Sequence, residues 1–191
     1  TREFLSSLDK LPLGVNFGTL AGHGTIKRAI LGDENRDLTL KELWVFKKVL
    51  NRALEEGAFG LSTGLEYLHS RSTSAKEVRE LVGTIKKFAG IYTTHLRSET
   101  DKLVESVEET LKIAKDTGIK TVVSHFRPII GFENQFSQAL ELIKNNSATA
   151  NLYFDVYPYD TSVLPIYLIL PKWVQEENLE KTLENLRDKE N

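Results

Sequence analysis

Two pairs of side chains carry the chemistry of this sequence: His95 and Arg97 in the string Tyr92-Thr-Thr-His-Leu-Arg, and His125 and Arg127 in Val122-Val-Ser-His-Phe-Arg. Each histidine closes a short apolar, β-branched run, and each arginine follows two positions later. Between the pairs, from about Lys102 to Asp116, the apolar residues recur with helical spacing. A strand, a helix and a strand within about thirty residues make one parallel βαβ unit. Because the unit repeats in register, both histidines are expected at the same end of the sheet, side by side. Two imidazoles presented in that way begin a metal site. A guanidinium beside them suits a carboxylate, which it holds by paired charge-assisted hydrogen bonds. The chain has no cysteine, so nitrogen and oxygen are its only metal ligands. Histidine serves zinc, iron, nickel and copper alike.

The elements that must position these residues recur along the chain. Leu13 to Ala21 reads as a strand, followed by the loop Gly22-His23-Gly24-Thr25. A helix is expected from about Thr39 to Glu56, with Thr39 and Glu42 as a capping box and Gly57 as its stop. Ala58 to Thr63 is the next strand. Then come a helix over about Ser74 to Phe88, a strand over Gly90 to Thr94, and the helix between the histidines. Strand Ile119 to Ser124, a helix over about Gln135 to Lys144 and strand Ala150 to Tyr157 follow. A sixth strand is weakly marked near Ile166 to Leu170. Alternation at this spacing means a parallel sheet with helical crossovers.

With 191 residues, 40% of them hydrophobic, and a net charge of -2, the chain can bury one sizeable core, and we expect a single domain over residues 1–191. Its charges are interspersed, which argues against a nucleic-acid partner. The longest apolar stretch, Val163 to Leu170, is far short of the roughly 18 residues of a membrane span. The first residues show no signal-peptide pattern, so a cytoplasmic location is expected. There is no methionine, even at position 1, and we expect a piece of a longer polypeptide.

Two architectures fit this alternation. A doubly wound nucleotide binder should carry a glycine-rich turn after an early strand, and no strand-to-helix junction here has one. Instead His23, Tyr67, His95, Arg97, His125, Arg127, Asp155 and Tyr157 sit just past successive strands, where barrel enzymes build their sites. The expected fold is therefore α/β, a TIM-type (β/α)8 barrel. A whole barrel takes about 250 residues and eight strands, so this one is partial.

Five segments in order, GHGTIKR (Gly22 to Arg28), EEGAFGLSTGLEY (Glu55 to Tyr67), IYTTHLRSE (Ile91 to Glu99), VVSHFRP (Val122 to Pro128) and DVYPYD (Asp155 to Asp160), resemble the N-acyl-D-amino-acid deacylases of the amidohydrolase superfamily. The resemblance runs from about Gly14 to Trp173. It implies a metal-dependent barrel that uses zinc to hydrolyse the amide of an N-acyl-D-amino acid. It places His95 and His125 at two imidazole zinc ligands and Tyr67 at a substrate-contacting tyrosine. Arg127 takes the place of a lysine in an SH-x-K motif, keeping the charge and changing its geometry. Arg97 and Arg127 are the candidates for holding the substrate carboxylate. The family's opening H-x-H pair, its cysteine ligand and its late aspartate, the general base, all lie outside this stretch. The catalytic residues proper are therefore expected elsewhere, and the isolated piece is expected to be inactive.

Other readings remain open beside this one. The chain could be a half-barrel that binds a ligand without catalysis. It could also be a cyclic amidase of the dihydroorotase or hydantoinase kind, although those relatives generally carry a bridging carboxylated lysine and lack GLSTGLEY. His23 suits packing in its Gly-flanked loop better than a metal. Arg97 could simply pair with Glu99 or Glu105. Asp155 is the only nearby third ligand this reading offers, and the family gives it no support. Exposed barrel edges lead us to expect homo-oligomers.

Overall fold

Five parallel strands lie side by side in the order in which the chain makes them. They are β1 (Ala21–Gly22), β2 (Gly60–Gly64), β3 (Ile91–His95), β4 (Lys120–Val123) and β5 (Leu152–Phe154). The computed structural model that shows this describes residues 1–161, 163–171, 174 and 179–187. An order that never reverses has no switch point, so right-handed crossovers put every connecting helix on one face. That is the winding of a β/α barrel, and five of its strands are present among the described residues.

The helices are α1 (Arg2–Leu8), α2 (His23–Leu31), α3 (Leu40–Glu55), α4 (Ala75–Thr84), α5 (Leu103–Thr117), α6 (Glu133–Ala150) and α7 (Leu179–Arg187), with a 3-10 turn over Ile85–Phe88 after α4. From α2 to α6 each packs on the next. Their ends follow local chemistry. Thr39 and Glu42 close the expected capping box, and Ser74 accepts the Glu77 N–H at the start of α4. Gly118 ends α5 with φ 69°.

Registration across the sheet sorts the strand residues into rows. Leu61, Tyr92, Thr121 and Leu152 form one row, all fully buried against the helices. There Phe46, Leu50, Val78, Leu81 and Ile85 pack around Leu61 and Tyr92, and Val107, Ala139 and Ile143 around Leu152. Each such aliphatic side chain contributes about 1.5–3 kcal/mol by leaving water. The next row, Ser62, Thr93, Val122 and Tyr153, points to the opposite face and stays partly exposed. This second face is the inner wall of the barrel.

The elements differ from the sequence expectations at several points. Leu13 to Leu20 is not a strand; Pro12, Gly14 and Gly18 punctuate it, and Val15 and Phe17 are exposed. The loop expected at Gly22-His23-Gly24-Thr25 is the first turn of α2. Helix α6 runs six residues beyond Lys144, and there Asn146, Ser147 and Thr149 turn their polar groups back onto carbonyls of the preceding turn. Ile166–Ile169 is a 3-10 turn opened by Pro165, not a strand. Trp173, where the resemblance ends, lies outside the described residues. No described helix is long and apolar enough to cross a membrane.

Candidate metal centre

His95 is the last residue of β3 and pairs in register with Gly64 at the end of β2. His125 lies two residues past the end of β4, and its backbone takes the left-handed conformation with φ 43°. Few residues other than glycine do so without support. The support comes from Asp155, just past β5, whose carboxylate accepts the His125 backbone N–H. The neighbouring Phe126 N–H donates to the Asp155 carbonyl at 2.8 Å, and the Asp155 N–H to the Val123 carbonyl at 3.0 Å. Asp155 therefore holds the backbone turn that presents His125.

The two rings meet. Nδ1 of His95 lies 2.9 Å from Nε2 of His125, with ring centroids 4.7 Å apart. The outer nitrogen of each ring is beside a carboxylate: Nε2 of His95 is 2.8 Å from Glu66 Oε2, and Nδ1 of His125 is 2.8 Å from Glu99 Oε1. The second contact is short but poorly aligned, and Nδ1 of His125 is closed off from solvent without an aligned hydrogen bond. We therefore treat it as an ion-pair contact. Glu66 behind His95 fixes the tautomer of that ring, and the inner nitrogens of the two rings face each other. Without a cation, one of them must carry a proton to make that contact.

His95, Glu99 and His125 offer ligand atoms that all lie within 4.8 Å of one another. Two imidazoles and a carboxylate are a donor set suited to a borderline divalent metal. The two inward-facing ring nitrogens, with the Glu99 carboxylate beside them, fit such an ion. The electrostatics agree. Burial pushes the Glu99 carboxyl up, but His125, His95 and Arg127 together outweigh it and hold the group below its ordinary value. Glu99 in turn holds the His125 imidazole above its ordinary value, against the effect of burial.

Tyr67 stacks flat on His95, with centroids 4.7 Å apart and 19° between the planes. Burial, with Glu99 nearby, pushes its phenol up. Arg127 approaches Glu99 Oε2 at 3.6 Å and lies over the Tyr157 ring at 4.9 Å. A cleft of about 500 Å³ runs from His95 and Tyr67 past Ser62 and Tyr167 to His23.

His95, His125, Tyr67 and Arg127 thus come together. Arg97 points elsewhere: its guanidinium bonds Glu109 at 2.9 and 2.8 Å and the carbonyls of Arg71 and Thr73 at 2.8 Å each. Its carboxylate partner is Glu109, neither Glu99 nor Glu105. His23 is wholly buried at the start of α2, 3.4 Å from Glu77 and from Ser70 Oγ, so it is a core histidine. The sequence reading gave two carboxylates no place at the histidines. Glu99 follows His95 by four residues and Glu66 precedes Tyr67, both inside the quoted strings. Their signal was a carboxylate near a strand-end histidine.

No family model matches the chain. N-acyl-D-aspartate deacylase from Alcaligenes xylosoxydans xylosoxydans is 34% identical over 161 residues, 83% of this chain and 32% of that protein. A solved D-aminoacylase, described as defining a novel subset of amidohydrolases, superposes with TM-score 0.76 at 31% identity, over 83% of this chain and 34% of its own. N-acyl-D-glutamate deacylase from Bordetella bronchiseptica was solved with zinc and a phosphonate mimic of the tetrahedral intermediate. It gives TM-score 0.75 at 29% identity, over 83% of this chain and 34% of its own. The chain spans about a third of the length of the relatives it matches.

Proposed function

Because this chain belongs to the N-acyl-D-amino-acid deacylases of the amidohydrolase superfamily, we propose that it is a stretch of a zinc-dependent hydrolase that releases D-amino acids from N-acyl-D-amino acids. In this reading residues 1–191 are one portion of a single barrel domain. The observation that carries it is the meeting of His95 and His125 at 2.9 Å with Glu99 beside them.

His95 and His125 would hold the zinc through their facing nitrogens, with Glu99 as a third donor or as the partner of His125. When bound, zinc supplies Lewis-acid polarisation of a carbonyl and a water of lowered pKa. Glu66 orients His95 and keeps Nδ1 available. Tyr67 has its phenol raised and stays protonated, so it donates to a carbonyl oxygen that gains charge. Arg127, seated over Tyr157 and only weakly paired with Glu99, supplies the guanidinium for the substrate carboxylate.

Proton transfer to the leaving amine needs a carboxylate with nothing else to hold. Near the two rings, Glu66, Glu99 and Asp155 are each engaged with a histidine. This favours a base contributed from outside this stretch, and a chain that by itself binds without turning over.

The test has two parts. Zinc or cobalt titration of the 191-residue chain should show one tight site that is lost in His95→Ala. The longest natural form of the protein should hydrolyse an N-acetyl-D-amino acid and leave the L-enantiomer intact. No metal binding in the first, or no hydrolysis in the second, sinks the reading.

A further inference from the structure

We propose that Arg97 is a positioning residue: it pins the segment between β2 and α4, which carries Glu66 and Tyr67, against His95. The inference deepens the functional reading and rests on it only for the effect on metal.

Four of the five guanidinium N–H groups are in use. Two go to Glu109 on α5, and two go to backbone carbonyls of the segment itself, at Arg71 and Thr73. The segment is closed on itself: the Ser70 and Arg71 N–H groups return to the Tyr67 carbonyl at 2.8 and 2.9 Å, and the Tyr67 N–H to Gly64 at 3.3 Å. These bonds make it one compact turn, which other contacts hold in place. On one side the anchors are α2, through Lys27 to Thr73 Oγ1 at 2.8 Å and His23 to Ser70 Oγ, and the loop before α3, through Ser72 Oγ to Asn35 and the Ser74 N–H to Asp37. On the other side the anchor is Arg97.

Arg97 lies two residues beyond His95 on the same short strand exit. Glu66 and Tyr67 reach His95 from the segment, and Arg97 returns to that segment from the His95 side. The ring and its two partners are thereby tied into one closed circuit. Arginine is required by geometry, because the planar fork faces a carboxylate and two carbonyls at once. Lysine keeps the charge but has a single nitrogen for all three.

The test uses the 191-residue chain with Arg97→Lys, Arg97→Ala and Glu109→Gln, each checked for folding by circular dichroism. Amide exchange over residues 66–73 and cobalt affinity are measured together. In Arg97→Lys, exchange of the segment should rise about tenfold or more while β3 and β4 stay protected, and cobalt should bind about 10-fold to 100-fold more weakly. Glu109→Gln should fall between this and wild type, and these two variants decide the matter if Arg97→Ala does not fold. Unchanged segment exchange in Arg97→Lys overturns the proposal, whatever happens to affinity. So does faster exchange with unchanged affinity, since Arg97 would then not act on His95. If the wild-type chain binds no cobalt, the metal reading fails, and segment exchange alone decides whether Arg97 is the anchor.

Discussion

Gly64 and the ring of Tyr67 share one space: a Cβ on Gly64 would lie 2.5 Å from Cδ2 and 2.7 Å from Cε2 of Tyr67. That same ring stacks on His95, the register partner of Gly64. The missing side chain at position 64 is what lets the tyrosine lie down over the imidazole.

Gly64→Ala should therefore lift Tyr67 off His95. We expect a destabilisation of about 1–3 kcal/mol, the usual cost of overpacking, together with weaker metal binding. Urea denaturation and a cobalt titration read the two effects. A variant of unchanged stability whose Tyr67 still stacks on His95 would show that the contact imposes no constraint.

Asp155→Ala should loosen His125 without removing a ligand. The carboxylate holds a backbone N–H in a left-handed turn, so its loss should lower metal affinity by about tenfold or more, as for outer-shell partners elsewhere. Calorimetric zinc titration measures this. Wild-type affinity would mean that the turn is fixed by other contacts.

His23 gives a pH dependence distinct from that of the candidate metal centre. Burial is the main cause of its shift below the ordinary 6.5; Glu77, hydrogen-bonded to it, opposes, Lys27 adds to the lowering, and Asp37 opposes weakly. With the folded value below the unfolded one, the unfolded chain takes up more protons in acid. Stability is then whole above about pH 6.5 and is lost as pH falls from there toward the folded value. His125 works in the opposite sense, since Glu99 holds it above 6.5 and its contribution fades as pH rises through the folded value. The decisive quantity is thus a difference: His23→Gln should lose less stability than wild type between about pH 8 and about pH 5.5. Parallel urea curves for the two proteins would refute this.

The sheet edge at β5 should drive self-association of the 191-residue chain. Tyr153 and Phe154 are exposed on this edge strand, and Val156 beyond them is more so. Sedimentation at micromolar concentration should show dimers or larger species, reduced by Tyr153→Lys. A clean monomer would count against it.

Much of this architecture could be read from residue patterns, because the signals were local. The capping box at Thr39, the glycine stop at Gly57 and the apolar stripe of α5 each act within a few residues. The run ending in His95 and the one ending in His125 inherit their juxtaposition from a repeat of strand, helix and strand. What stayed hidden depended on partners distant in sequence. Nothing near Arg97 marks Glu109 as its partner in preference to Glu105, since only the crossing of α5 over β3 decides it. Asp155 looked like a ligand because it follows a strand, yet its oxygen caps a backbone turn thirty residues earlier. Glu99 was weighed only as a partner for Arg97, because its contacts are with His125 and Arg127 on the exit from the next strand.

Strand order also bears on how the chain assembles. From Leu61 to Tyr92 to Thr121 to Leu152, each pairing partner lies about thirty residues further on, and none waits for a distant part of the sequence. Closing a loop of that length costs less entropy than joining strands from opposite ends of the chain. Each βα module can then dock on its predecessor as it leaves the ribosome, so the floor of the candidate metal centre is laid in order, Glu66 first and Asp155 last.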